Sequence, residues 1–132
     1  MRARPIKRIA DHNCGRAVVA MIAQRYCNLS AESSLPKARD VLTGRLTNTK
    51  TICEALEKLG IDAGPEKIRF TKVSPSDMGL HFDAIIGTEP AKSGNWHWLV
   101  WDAAEKRLID PKPSKKDCGS HSKAAFYIEI RR

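Results

Sequence analysis

No apolar run in the sequence approaches the roughly 18–20 residues of a membrane span, so no spanning helix is expected. The N-terminus is basic, but neither an apolar stretch nor a small-residue cleavage site follows it, which argues against a secretory signal. The four cysteines, Cys14, Cys27, Cys53 and Cys118, contain no C-x-x-C pair. They are therefore expected to be free thiols in a reducing, cytoplasmic compartment. Aromatic residues are only 6% of the chain and form no RNA-binding signature. Zinc-finger spacing and a basic region followed by heptads are absent too. Repeats, low-complexity segments and a linker able to separate two domains are also lacking. What is present is a globular balance, 42% hydrophobic and 29% charged residues in 132 positions. That length predicts one domain, residues 1–132, able to bury about two thirds of its unfolded surface without disulfides or metal.

Acidic residues are scarce at the two ends. The net charge is +8. Residues 1–8 carry Arg2, Arg4, Lys7 and Arg8 and no acid. From Arg107 onward seven basic residues (Arg107, Lys112, Lys115, Lys116, Lys123, Arg131 and Arg132) face Asp110, Asp117 and Glu129. The stretch between is neutral. A basic surface fits an anionic partner or plain solubility, and without a recognisable motif nucleic acid is not the expected one.

Periodicity predicts helices first and a mostly antiparallel sheet second, an α+β order. Cys14, Ala17, Val18, Met21, Ile22 and Arg25 share one helical face over about Asn13–Tyr26, apolar except at its end. Asp11 or Asn13 is placed to cap its start. A shorter helix is expected around Leu35–Leu42. A third is expected to open with a Thr51/Glu54 capping box and to stop at Gly60. Ile68–Val73 reads as a strand suited to a sheet edge. Phe82–Gly87, Trp96–Trp101, Arg107–Ile109 and Ala125–Ile130 read as further strands. Trp96–Trp101 is apolar on both faces apart from His97, which suits a central position. The tryptophans read as sheet core, with Trp96 also placed to wall a groove.

Three residues attract chemical attention. Cys14 opens the first helix, where free N–H groups and the helix dipole favour a thiolate; a buried core cysteine is the bland alternative. His97 interrupts an apolar strand, an odd place for an imidazole unless something pairs with it; a structural histidine bonded to backbone is the alternative. Asp110 is the third. If a hairpin folds about residues 103–104, with Asp102–Lys106 as its loop, partner numbers add to about 207, and His97 faces Asp110. A carboxylate there would hold the imidazole's tautomer. One slip of register would move it to the other face. Separately, His12 with Cys14 and Cys118 with His121 make a zinc site conceivable, though the H-x-C spacing is unusual.

The segment Asn13-Cys14-Gly15-Arg16-Ala17-Val18-Val19-Ala20-Met21 resembles the cysteine motif of the C39-like, papain-like peptidases. His97-Trp98-Leu99-Val100-Trp101, followed by Leu108-Ile109-Asp110-Pro111, resembles that family's histidine strand and Asp-Pro strand end. The intervening Thr51–Gly60 helix fits as well, and the likeness spans about residues 8–130. It implies a papain-like fold in which Cys14 is nucleophile, His97 general base and acid, and Asp110 orienter. It implies peptide or isopeptide cleavage through a thioester, with no metal and no organic cofactor. A deamidating or transglutaminase-like enzyme would use the same residue types. One position departs. The family's oxyanion glutamine, six residues before the cysteine, is replaced here by Arg8, so Arg8 or Asn13 must supplement the Cys14 N–H. The contrasting reading is a catalytically weak binding module, such as a small cytosolic or phage-encoded effector, gripping an acidic partner through its basic ends. On either reading both basic ends are expected to rim the site and to favour a peptide or protein partner that is acidic there.

Overall fold

The structure is a computed structural model that describes residues 6–9, 14–42, 49–63, 68–73, 80–88, 97–109 and 124–131. Three helices come first: α1 (Cys14–Tyr26), α2 (Ala31–Val41) and α3 (Thr49–Lys58). Five strands follow: β1 (Ile68–Val73), β2 (Ala84–Thr88), β3 (His97–Asp102), β4 (Arg107–Ile109) and β5 (Ala124–Glu129). They form one sheet in the order β1-β5-β2-β3-β4, and every paired neighbour is antiparallel. The α+β order is as expected, with β1 at an edge and β3 internal.

α1 differs from expectation in one respect. It does not bury a single stripe; every residue from Ala17 to Gln24 is buried. A helix that is apolar nearly all round belongs inside a fold. α1 accordingly packs on α2, α3 and β3, with Ala17, Ala20 and Ala23 keeping the approach close. α2 starts four residues earlier than expected, because the Ser30 hydroxyl accepts the Ser33 N–H at 3.2 Å and caps it.

In α3 the Thr51/Glu54 capping box is not the start. The helix already runs from Thr49, so Thr51 lies inside its first turn. The predicted stop is correct. Ile61 N–H donates to the Leu56 carbonyl at 2.9 Å and Gly60 N–H to that of Glu57 at 2.9 Å. Gly60 has φ +76°, the left-handed conformation of a Schellman stop. Leu56 and Ile61 are both buried in the same core.

The sheet alternates cleanly. Ile85, Trp98, Val100, Ile109 and Ile128 face the helices and share their core. Ala84, Ile86, Leu99 and Trp101 form a second cluster with Leu80, Phe82, Leu108 and Tyr127. Trp98 and Trp101 are therefore core residues on opposite faces. Trp101 also donates its indole N–H to the Leu80 carbonyl at 3.0 Å. Among the described residues no helix is long and apolar enough to cross a membrane.

Candidate active site

Cys14 is the first residue of α1 and His97 the first of β3. The His97 backbone pairs with Thr88 of β2. Asn13, Trp96 and Asp110 lie outside the described residues, as do the side chains of Cys14 and His97. The first N–H groups of a helix have no intrahelical partner and carry its positive end, so the backbone at Cys14 stabilises negative charge.

An ion cluster joins α1 and β3 at the other end of the two elements. Arg25, in the last turn of α1, places Nη1 2.9 Å from Asp102 Oδ1 and 3.1 Å from Asp83 Oδ2. Its Nη2 reaches Asp102 Oδ2 at 3.4 Å. Tyr26 donates its hydroxyl to Asp83 Oδ2 at 2.7 Å. Backbone N–H groups complete the set, Ala103 to Asp83 Oδ1 at 2.9 Å and Glu105 to Asp102 Oδ1 at 3.3 Å. Burial disfavours the charge on Arg25, but hydrogen bonds and charge from Asp102 and Asp83 outweigh it and raise its pKa. Burial first, then the hydrogen bond to Asp83, pushes the Tyr26 phenol well up.

Asp102 ends β3 and Arg25 lies one residue before the end of α1. The two elements pack together. From Arg25 back to Cys14 the helix rises about 16–17 Å. From Asp102 back to His97 the strand rises about 17 Å. Elements joined at their C-terminal ends, with matching rises, bring their first residues to the same end of the molecule.

The sequence reading treated Asp102 as part of a loop. It is instead the last residue of β3, fully buried. The turn is Ala103–Lys106, with Lys106 at φ +53°. Consequently β4 pairs as Val100↔Ile109, Trp101↔Leu108 and Asp102↔Arg107, so partner numbers add to 209, two more than the register that set His97 against Asp110. The turn centres between Ala104 and Glu105, one residue later than expected, which adds two to every partner sum.

The signals for this cluster were present but unread. Arg25 was the one polar residue on the apolar face of α1. Asp83 and Asp102 each bordered an apolar run. Gln24 was missed as well. Only 2% exposed, it accepts the Lys7 N–H at 2.8 Å and donates to the Lys7 carbonyl at 2.9 Å. Arg107 donates to the Ile6 carbonyl. The segment 6–9 is thereby held against the C-terminal half of α1, and exposed Arg8 leaves from beside Gln24, ten residues along the helix from Cys14.

This corrects the expected basic rim for two of its residues. Lys7 and Arg107 sit at the Arg25 end, because the antiparallel turn carries Arg107 back beside Asp102, 3.9 Å from its Oδ2. Lys112, Lys115 and Lys116 lie outside the described residues.

Cys27 and Cys53 are free thiols. Burial raises the pKa of Cys27 despite nearby Lys37, and burial raises that of Cys53 with help from Glu54. No group of three metal-ligating side chains occurs among the described residues. His12, Cys118, His121 and the Cys14 side chain, the proposed zinc set, fall outside them.

No family model matches the chain, and no curated protein matches it. Among solved structures it is similar to a double glycine motif protease from an AMS/PCAT transporter, crystallised in complex with the leader peptide. The identity is 15% and the TM-score 0.62, over 97% of this chain and 92% of that one. The chain therefore has the α+β, papain-like fold of a C39-type peptidase domain.

Proposed function

We propose that this protein is a cysteine hydrolase that cuts a peptide or isopeptide bond through a thioester. Cys14 is the nucleophile, His97 the general base and then acid, and Asp110 the residue that holds the imidazole. The observation that carries this reading is the paired geometry of α1 and β3, whose first residues are Cys14 and His97. Likeness of fold to a peptidase bound to a leader peptide supports a peptide substrate.

In the reaction, His97 takes the Cys14 proton and the thiolate attacks the scissile carbonyl carbon. The tetrahedral oxyanion is met by the Cys14 N–H, with Asn13 as the second donor. Collapse breaks the C–N bond, and the departing amine takes the proton from the His97 imidazolium. Water, deprotonated by His97, then attacks the thioester; the carboxylic acid leaves and Cys14 is restored. Residues of this chain suffice for every step.

Thiol alkylation against pH tests the reading. Cys14 is expected to react fastest of the four cysteines below pH 7, and His97→Ala is expected to remove that excess. Equal reactivity of all four cysteines, or an inert Cys14, would overturn it.

A further inference from the structure

We propose that the Arg25–Asp83–Asp102 cluster, with Tyr26, is a positioning staple that sets the register of α1 against β3 and so fixes the start of α1, Cys14, relative to the start of β3, His97. The proposal rests on the hydrolase reading for its purpose, though not for its geometry. The cluster joins the last turn of α1, the residue before β2 and the last residue of β3. β2 and β3 are the paired strands whose far ends carry Thr88 and His97. One guanidinium thus ties together the three elements that frame the candidate site, from the end where no chemistry is assigned.

The reason for a polar lock lies in the surface of α1. From Ala17 to Ala23 it offers only apolar side chains, all fully buried. Apolar burial is itself non-directional, so along this surface the register rests on side-chain packing alone. A slide of one residue would carry Cys14 about 1.5 Å along the helix. A displacement of about 1 Å between reacting groups can cost about a hundredfold in rate. Arginine presents its donors in a rigid planar fork. Here the fork meets both oxygens of Asp102 and, through Nη1, both oxygens of Asp83. Such a junction fixes position along the helix axis through directional bonds, in addition to what side-chain packing supplies. Both carboxylates are in turn fixed by backbone N–H groups of the β3–β4 turn, so the acceptors do not follow the helix if it moves. Buried ion clusters stabilise a fold poorly compared with apolar replacements of the same volume, which leaves geometry as their contribution.

The test measures proximity without relying on catalysis. In a Cys27→Ser, Cys53→Ser, Cys118→Ser background, His97→Cys puts a second thiol at the start of β3. Dibromobimane, which fluoresces only after linking two thiols, reports their approach. Removing Arg25 alone strands two buried carboxylates and endangers folding. The staple is therefore removed as Arg25→Met with Asp83→Asn and Asp102→Asn, and thermal unfolding verifies the fold. With the staple intact a rapid cross-link is expected; without it, one at least tenfold slower in a protein that still unfolds cooperatively. An equal rate in the folded staple variant, or no cross-link with the staple intact, would overturn the proposal. The hydrolase reading fails separately. If native Cys14 shows no His97-dependent acidity while the cross-link still depends on Arg25, the staple stands and the enzyme does not.

Discussion

The two ends of α1 each carry a cysteine, in opposite surroundings. Cys14 opens the helix, where free N–H groups and the dipole favour a thiolate. Cys27 follows the last residue, where the helix presents carbonyls. Its thiol lies 3.5 Å from the Leu59 carbonyl and its pKa is raised by burial. The polar chemistry of the second end is saturated: Arg25, Tyr26, Asp83 and Asp102 bond one another and the β3–β4 turn. One helix thus separates an end suited to reactivity from an end suited to anchoring. Residue type alone does not distinguish the two cysteines; position along a dipole and degree of satisfaction do.

The largest effect that can break this contrast is loss of one thiol. Cys14→Ser is expected to lower turnover of an activated acyl ester by roughly 10⁶-fold, as when a catalytic nucleophile is removed. Cys27→Ser should leave turnover within about twofold. Similar losses from both would erase the difference between the ends.

Next comes the anchor. Arg25→Ala leaves Asp83 and Asp102 buried without their shared cation, and urea unfolding should show a loss of about 3–5 kcal/mol. The triple replacement by Met and two Asn should recover most of it. If the single change were harmless, the anchoring role of this end would be lost.

A smaller effect is expected from Gln24→Ala. It strips the Lys7 N–H and carbonyl of their partner and should cost about 1–3 kcal/mol in the same measurement. Residues 6–9 should then become the first site of limited proteolysis. The same change should leave Cys14 alkylation unaltered, since Gln24 lies toward the other end of the helix.

The smallest is a pH effect. The Tyr26 pKa is raised above the ordinary 10.0 in the folded chain, so the protonated phenol favours folding. Its contribution is fully present below about pH 10 and is lost as pH rises beyond that, where the unfolded phenol ionises first. Tyr26→Phe should flatten part of the alkaline decline in melting temperature. An unchanged slope would show that the Tyr26–Asp83 bond is immaterial to the anchor.

Much of the architecture was legible in the residues. The 3.6-residue spacing from Ala17 to Ile22 marked α1, Gly60 marked the end of α3, and the strands fell close to where alternation put them. These signals are local, since a helix or strand imprints its period on its own residues. Less legible were features decided by contact. Thr51 and Glu54 have the spacing of a capping box, but the chain enters α3 two residues earlier. Asp102 looked like a loop residue because carboxylates usually sit in turns; Arg25, 77 residues away in sequence, supplies the cation that makes its burial tolerable. The hairpin register moved by two because the turn centres one residue later, between Ala104 and Glu105. Of the candidate site, Cys14 in the first turn of a helix and His97 near the start of a strand were readable, whereas the Arg25–Asp83–Asp102 cluster was not.

By itself, the sequence determined which residues could form helices and strands and which two elements carry a thiol and an imidazole near their starts. Those properties follow from side-chain period and from chemistry carried by single residues. Tertiary structure alone decided that α1 is buried on all sides, that its C-terminal turn is tied to Asp83 and Asp102, and that most of the described basic charge near the chain ends gathers away from Cys14. The physical reason is that an ion pair or a strand register is a relation between distant residues. Its free energy does not exist until the fold brings them within a few ångströms and removes the water between them.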